Sequence, residues 1–147
     1  MGNLSSPEKK RAREHAYLIA YQVDVSGFSP EEVAETYWEE LEEERGKEKP
    51  EVKELAERLV KETYRNLFEV DSTIARHLKK GWVIDRLLPM DRSILRVATY
   101  ELLKEEISPP EAVINDAVEL AKEYGEEEKS YKFINAILDK VKQDAGK

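Results

Sequence analysis

Residues 82–103 read WVIDRLLPMDRSILRVATYELL, and the rest of the chain is organised around them. From Ile94 onward the apolar residues fall at Ile94, Leu95, Ala98, Leu102 and Leu103. That is the i, i+1, i+4, i+8, i+9 rhythm of one helical face. Pro89 has no N–H to donate, so it suits the first turn of a helix and not its interior. The expectation is a loop or single turn over residues 82–88, then a helix from about Met90 that others pack against. Asp85, Arg86, Asp91, Arg92 and Arg96 punctuate the stretch too regularly for a membrane span.

Helices extend outward on both sides. Ser6-Pro7 reads as an N-cap followed by proline at the first helical position. The helix beyond it carries a core stripe of Ala12, Ala16, Ile19, Ala20 and Val23, and ends at residues 25–27. Ser29-Pro30-Glu31-Glu32 repeats the start signal with glutamate at N3, and Gly46 supplies the stop. Pro50 opens the most periodic stripe: Val52, Leu55, Ala56, Leu59, Val60, Thr63, Tyr64, Leu67 and Phe68. Asp71 or Ser72 then caps a short helix with Ile74, Ala75 and Leu78, stopped by Gly81. Beyond the central stretch, residues 108–111 (SPPE) give a third start signal, and Val113, Ile114, Ala117, Val118, Ala121 and Tyr124 face inward. The last helix carries Phe133, Ile134, Ile137, Leu138 and Val141. No alternating strand pattern interrupts this, so the fold is read as all-α, with six or seven helices and short loops.

A chain of 147 residues makes one domain, or two small subdomains sharing a core. The division expected is residues 1–70 and 71–147. With no cysteine, a disulfide framework and a thiolate metal site are excluded. No apolar run approaches a membrane span, and the basic N-terminus lacks the apolar segment of a secretory signal, so a cytoplasmic protein is expected. The formal net charge of -8 is concentrated in residues 29–51, where ten glutamates face three basic residues. Residues 129–147 run the other way, with five lysines against two aspartates. An acidic whole argues weakly against a general nucleic-acid binder, but the location of the charge matters more.

Enzyme chemistry is poorly represented. His15 and His77 share no ligand spacing, and there is no glycine-rich phosphate loop, so neither metal nor cofactor is expected. Asp85, Asp91 and Glu101 are the carboxylates an enzyme would use, but capping a helix or pairing with Arg86, Arg92 or Arg96 explains the aspartates more simply. The first helix is more informative. Lys10, Arg13, Tyr17 and Tyr21 recur at i, i+3, i+7, i+11, flanked by Lys9 and Arg11. Cations along phosphates and aromatic planes under bases are what hold single-stranded RNA. The plainer reading of the same stripe is a polar face with two tyrosines packed against a neighbour.

Four stretches weigh against the plainer reading. Residues 10–14 (KRARE), followed by Ala20-Tyr21, resemble the arginine-rich first helix of the NusB family of bacterial transcription antitermination factors. Residues 91–102 (DRSILRVATYEL) resemble that family's central helix. Pro110 through Lys122, containing AVINDAVELAK, is similar to its most recognisable stretch, and residues 130–139 (SYKFINAILD) to its closing S-x-K-F-V-N-G-x-L-D pattern. The resemblance runs over nearly the whole chain, in order.

The resemblance implies two packed helical subdomains and no catalysis. It also implies binding of boxA-type single-stranded RNA in ribosomal RNA leader transcripts, together with the ribosomal protein NusE, in an RNA polymerase antitermination complex. The family's RNA contacts fall on Lys10, Arg11, Arg13 and Tyr21, then on Lys132, Phe133 and Asn135; Lys9, Tyr17 and Lys129 join them from the charge and aromatic pattern. The family's protein-binding surface maps to Trp82, Asp85, Arg86, Asp91 and Arg92, with Asp91 the matching acidic position. Ala136 stands where the family has glycine, which predicts looser packing of the last helix, and the 126–128 loop is acidic. The same fold accompanies some ribosomal RNA methyltransferases beside a large cofactor domain, for which 147 residues leave no room, so a free-standing factor is expected. A homodimer that buries the first helix is the other arrangement open to it. The alternative from another class is a protein-binding helical adaptor whose acidic helix docks a basic partner.

Overall fold

Proline opens four of the seven α-helices found over residues 3–147, the part of the chain that the computed structural model describes. Its fixed φ and missing N–H cost nothing at a position whose N–H would go unpaired. The helices are α1 (Ser6–Ser26), α2 (Pro30–Arg45), α3 (Pro50–Arg65), α4 (Leu67–Ala75), α5 (Pro89–Lys104), α6 (Pro110–Tyr124) and α7 (Ser130–Asp144). A 3-10 turn at Ile84–Arg86 precedes α5, and the described residues contain no strand. The all-α reading holds.

The central stretch is buried more completely than one stripe implied. From Met90 to Leu102 all residues of α5 but Arg92 are buried, and the helix packs on α1, α3, α4, α6 and α7. A helix covered on every side is the interior element of its domain. Its polar residues must therefore find partners inside the protein. One continuous apolar cluster runs from Ala12 on α1, through Leu55 and Leu59 on α3 and Ile94 and Leu95 on α5, to Leu138 on α7.

Several local expectations shift. The N-cap of α1 is Ser5, not Ser6: its hydroxyl accepts from the Glu8 N–H while Glu8 accepts from the Ser5 N–H, a complete capping box. Ser29 does cap α2, and Gly27, at φ 78°, closes α1 in the left-handed region. Ser108 caps nothing; α6 starts after Pro109, and the Ser108 hydroxyl accepts from Arg13 instead. The long stripe expected from Pro50 breaks at Asn66, so Phe68 belongs to α4 and is 88% exposed. Asp71 and Ser72 accordingly lie inside α4 and do not cap it. Ala136 is exposed, so its methyl group is clear of the inner contacts of α7, which are made by Ile134, Ile137, Leu138 and Val141.

The α6–α7 turn has no such room. A Cβ on Gly125 would fall against the Ala121 carbonyl oxygen and 2.9 Å from the Ser130 Cβ, although the backbone there (φ -61°) suits any residue. Gly125→Ala should therefore destabilise by about 1–3 kcal/mol, the usual cost of overpacking. Urea denaturation checks this, and a variant as stable as the parent would show that the turn relaxes freely.

Candidate nucleic-acid interface

The stripe of α1 that resembled an RNA-binding face turns largely inward. Arg13 is 2% exposed and Tyr17 is 1% exposed. The Arg13 guanidinium donates to both Glu101 oxygens (Nε at 3.0 and 3.2 Å, Nη2 at 2.6 Å), to the Ser108 hydroxyl at 2.8 Å and to Asp116 at 2.8 Å. Burial alone would favour its neutral form, but the bonds to Glu101 and Asp116 outweigh this and hold it cationic. The Tyr17 hydroxyl is buried without a hydrogen-bond partner among the described residues, and burial raises its pKa. As direct RNA contacts these two residues are corrected: they join α1 to α5 and α6. Tyr21 is half-buried against the core.

The outer edge of α1 remains at the surface, with its cations engaged. Lys10 pairs with Glu119 of α6, and Arg11 forks onto Glu48 at 3.0 and 2.9 Å. Lys9 Nζ donates to the Ile107 carbonyl at 3.1 Å. Behind Arg11, His15 is buried between Glu48 at 2.9 Å and the Tyr37 hydroxyl at 2.7 Å, edge-on to Trp38. It is a partnered core histidine.

From Lys10 the surface continues across α6 to α7. Glu119 and Lys122 stand one turn apart on α6, and Lys122 Nζ lies 5.0 Å from the Tyr131 ring centroid. Lys132 Nζ lies 6.0 Å from the same ring. Asn115, Lys122, Tyr131, Lys132 and Asn135 line one shallow groove between the two helices. Sequence reasoning named Lys132 and Asn135 but missed Lys122 and Tyr131. The signal was an aromatic residue directly before Lys132, in a helix whose charge is basic.

On the other flank of α7, Phe133 is half-buried and lines a second groove with Trp82, Leu87 and Ile137. Lys129 is exposed at its edge. Trp82 and Val83 are 55% and 52% exposed, on the loop before α5. Of the other residues expected to meet a protein partner, Asp85 and Arg86 are exposed, but Asp91 is 5% exposed, with Oδ2 accepting from the Ser130 hydroxyl at 2.9 Å. Burial raises its pKa, opposed by that hydrogen bond. Arg92 is committed to Asp24 at 2.5 Å and to the carbonyls of Ile84, Asp85 and Leu87. Asp91 and Arg92 therefore serve the fold here, and the expectation of aspartate–arginine pairs within the central stretch is replaced by bonds to α1 and α7. Asp91 and Glu101 sit ten positions apart on one helix, roughly 15 Å at 1.5 Å per residue. They do not converge as a catalytic pair.

The NusB family model matches residues 10–143. The chain is 39% identical over 133 residues to the transcription antitermination protein NusB of Anaeromyxobacter dehalogenans, covering 90% of this chain and 89% of that protein. T. maritima NusB superposes with a TM-score of 0.82 at 34% identity, over 98% of this chain and 94% of that one. A chain from the crystal structure of the antitermination factors NusB and NusE in complex with double-stranded RNA superposes with a TM-score of 0.78 at 34% identity, over 94% of this chain and 98% of its own.

Two measurements test the charge networks. Arg13→Ala strands Glu101 in the interior and should cost about 3–5 kcal/mol of stability, whereas Arg13→Met with Glu101→Leu should recover most of it. Urea denaturation of the three proteins decides. Arg11 holds the Glu48 carboxyl at about 2, below its ordinary 4.5, with a smaller contribution from His15 and burial opposing both. A depressed folded-state pKa stabilises above 4.5 and ceases to do so as pH falls toward 2. The stability advantage of the parent over Glu48→Gln should thus be complete at pH 6 and vanish by about pH 2. An advantage independent of pH would mean that packing, not charge, is what Glu48 supplies.

Proposed function

The chain belongs to the NusB family, and we propose that it is a transcription antitermination factor that binds boxA-type single-stranded RNA of ribosomal RNA leader transcripts together with NusE. What carries this reading is the continuous edge from Lys10 on α1, across Lys122 on α6, to Tyr131 and Lys132 on α7. It combines cations with an aromatic plane on a protein that is acidic as a whole. Cations track phosphates, and aromatic rings accept bases of any sequence. The solved NusB and NusE assembly with RNA supports both partners. Within this reading Lys9, Lys10, Arg11, Lys129, Lys132 and Asn135 face the strand, Phe133 offers a stacking surface, and Tyr21 braces α1 from beneath. Arg13 and Tyr17 act from behind, by fixing α1 on α5 and α6.

The loop before α5 is the surface for NusE. It exposes Trp82 and Val83, with Asp85 and Arg86 beside them. Aromatic anchors rimmed by charge are characteristic of protein interfaces. No described helix is long and apolar enough to cross a membrane, and the factor acts in the cytoplasm, where the transcripts are made. Its role is to present the bound strand and NusE to RNA polymerase.

The test is the affinity for a short boxA-type RNA over a salt series. Lys132→Ala should weaken binding and flatten the log–log salt slope by about 0.7, the share of one phosphate on a single strand. Phe133→Ala should cost about 1–3 kcal/mol of binding, one lost stack, and leave the slope unchanged. Binding by the parent that does not respond to salt would overturn the RNA reading. Retained RNA binding with NusE capture lost in Trp82→Ala would place the two partners on the two surfaces described.

A further inference from the structure

Two of the groups that an RNA strand would use are held by one helix. Glu119 of α6 accepts from Lys10 of α1, and Lys122, one turn further along α6, stands 5.0 Å from the centroid of the Tyr131 ring. A carboxylate on Lys10 competes with a phosphate, and an ammonium over a ring competes with a base for that face. Both contacts lie near the surface. The Lys10 and Glu119 side chains are 39% and 44% exposed, Lys122 is exposed and Tyr131 is half-buried. Exposed ion pairs and cation–π contacts of this kind are weak, so both can be exchanged for other partners.

Glu119 is placed to change partners. Its Oε2 takes the Lys10 ammonium, while Asn115, one turn back, donates to Oε1 at 3.4 Å. Lys10 holds the Glu119 carboxyl below its ordinary range, and Lys122 adds a smaller pull in the same direction. A glutamate three residues before a lysine is a favourable spacing for a pair on one helix. Once a phosphate has taken Lys10, Lys122 is the cation that remains beside Glu119 on its own helix. We infer that Glu119 and Lys122 form a relay: a phosphate on Lys10 sends Glu119 to Lys122, Lys122 leaves Tyr131, and the uncovered ring receives a base. Both are positioning residues, acting on the strand through Lys10 and Tyr131. The inference rests on the RNA-binding reading given above and adds to it a coupling between the phosphate contact on α1 and the stack on α7. A ligand offering a phosphate and an unpaired base together breaks both contacts in one exchange, which a phosphate alone does not.

The exchange can be read by NMR on the full chain without RNA. Protons above an aromatic face resonate upfield, so the Lys122 ε-methylene, identified by its loss in Lys122→Met, should be shifted upfield in the parent. Lys10→Ala releases Glu119, and the shift should fall roughly twofold, the scale of an i, i+3 pair on a helix. Adding Glu119→Gln to Lys10→Ala should restore the shift, which a general disturbance from losing Lys10 would not do. A shift unchanged by Lys10→Ala, or not restored in the double variant, overturns the inference. A salt series with a short boxA-type RNA then ties the relay to the strand. Lys10→Ala should flatten the log–log slope by about 0.7, the share of one phosphate. Lys122→Met should leave the slope as it is, because Lys122 is engaged by Glu119 in the complex. Equal flattening in both variants means that Lys122 meets a phosphate itself, and overturns the relay while leaving RNA binding intact. Failure of the parent to bind at low salt overturns the RNA reading as well.

Discussion

A guanidinium out of reach of water fixes the geometry of everything outside it. Arg13 on α1 is held by Glu101 on α5, by Asp116 on α6 and by the Ser108 hydroxyl in the loop between them. Removing two charges from water is costly, and only near-complete hydrogen bonding offsets it. Once offset, the pair tolerates one arrangement of three helices and few others, because any slip leaves a buried charge unpaired. The surface repeats the pattern one turn outward. Lys10 precedes Arg13 by three residues, Glu119 follows Asp116 by three, and Lys10 pairs with Glu119. The inner rung of this two-step ladder is dry and rigid, and the outer rung is wet and exchangeable. An exposed pair contributes little to stability, so its cation is available to another anion at small cost.

Charge is sorted on a larger scale in the same way. The glutamates of residues 29–51 lie on α2, the turn after it and the first turn of α3, and of these Glu48 pairs with Arg11, whereas Lys122 and Lys132 stand on α6 and α7. A chain with a net charge of -8 can in this way present a locally basic edge, since fields from exposed charges fade over about 8–10 Å in physiological salt. The carboxylates paired with Lys10 and Arg11 keep that edge from being strongly cationic when nothing is bound.

Helix identities and many ends were legible because they depend on local chemistry. Ser29, Gly27 and the prolines act within a turn of where they stand. Burial of polar residues was not legible in the same way. Arg13 sits on a stripe with Lys10, Tyr17 and Tyr21, and nothing within a helical turn distinguishes a cation aimed at solvent from one aimed at a carboxylate 88 or 103 residues away. Ser108 was misread for a related reason: its hydroxyl answers a distant arginine, not the neighbouring helix. Phe68 looked like core because the periodicity ran on through Asn66, where the backbone turns. Asp91 was assigned from resemblance to a partner surface, and only packing reveals its contact with Ser130 of α7.

Arg92 carries a consequence for how the molecule becomes ordered. Its guanidinium serves the carbonyls of Ile84, Asp85 and Leu87 and at the same time Asp24, 68 residues earlier. The segment that displays Trp82 therefore takes its place on the fold from a contact of high sequence separation, in addition to the 3-10 turn that its own residues form. Loops closed by distant contacts gain order only after the larger ring of chain has closed, and they are the first to fray when it loosens. Amide exchange in this segment should accordingly report the docking of α1 on α5, which makes a surface loop a reporter of the interior.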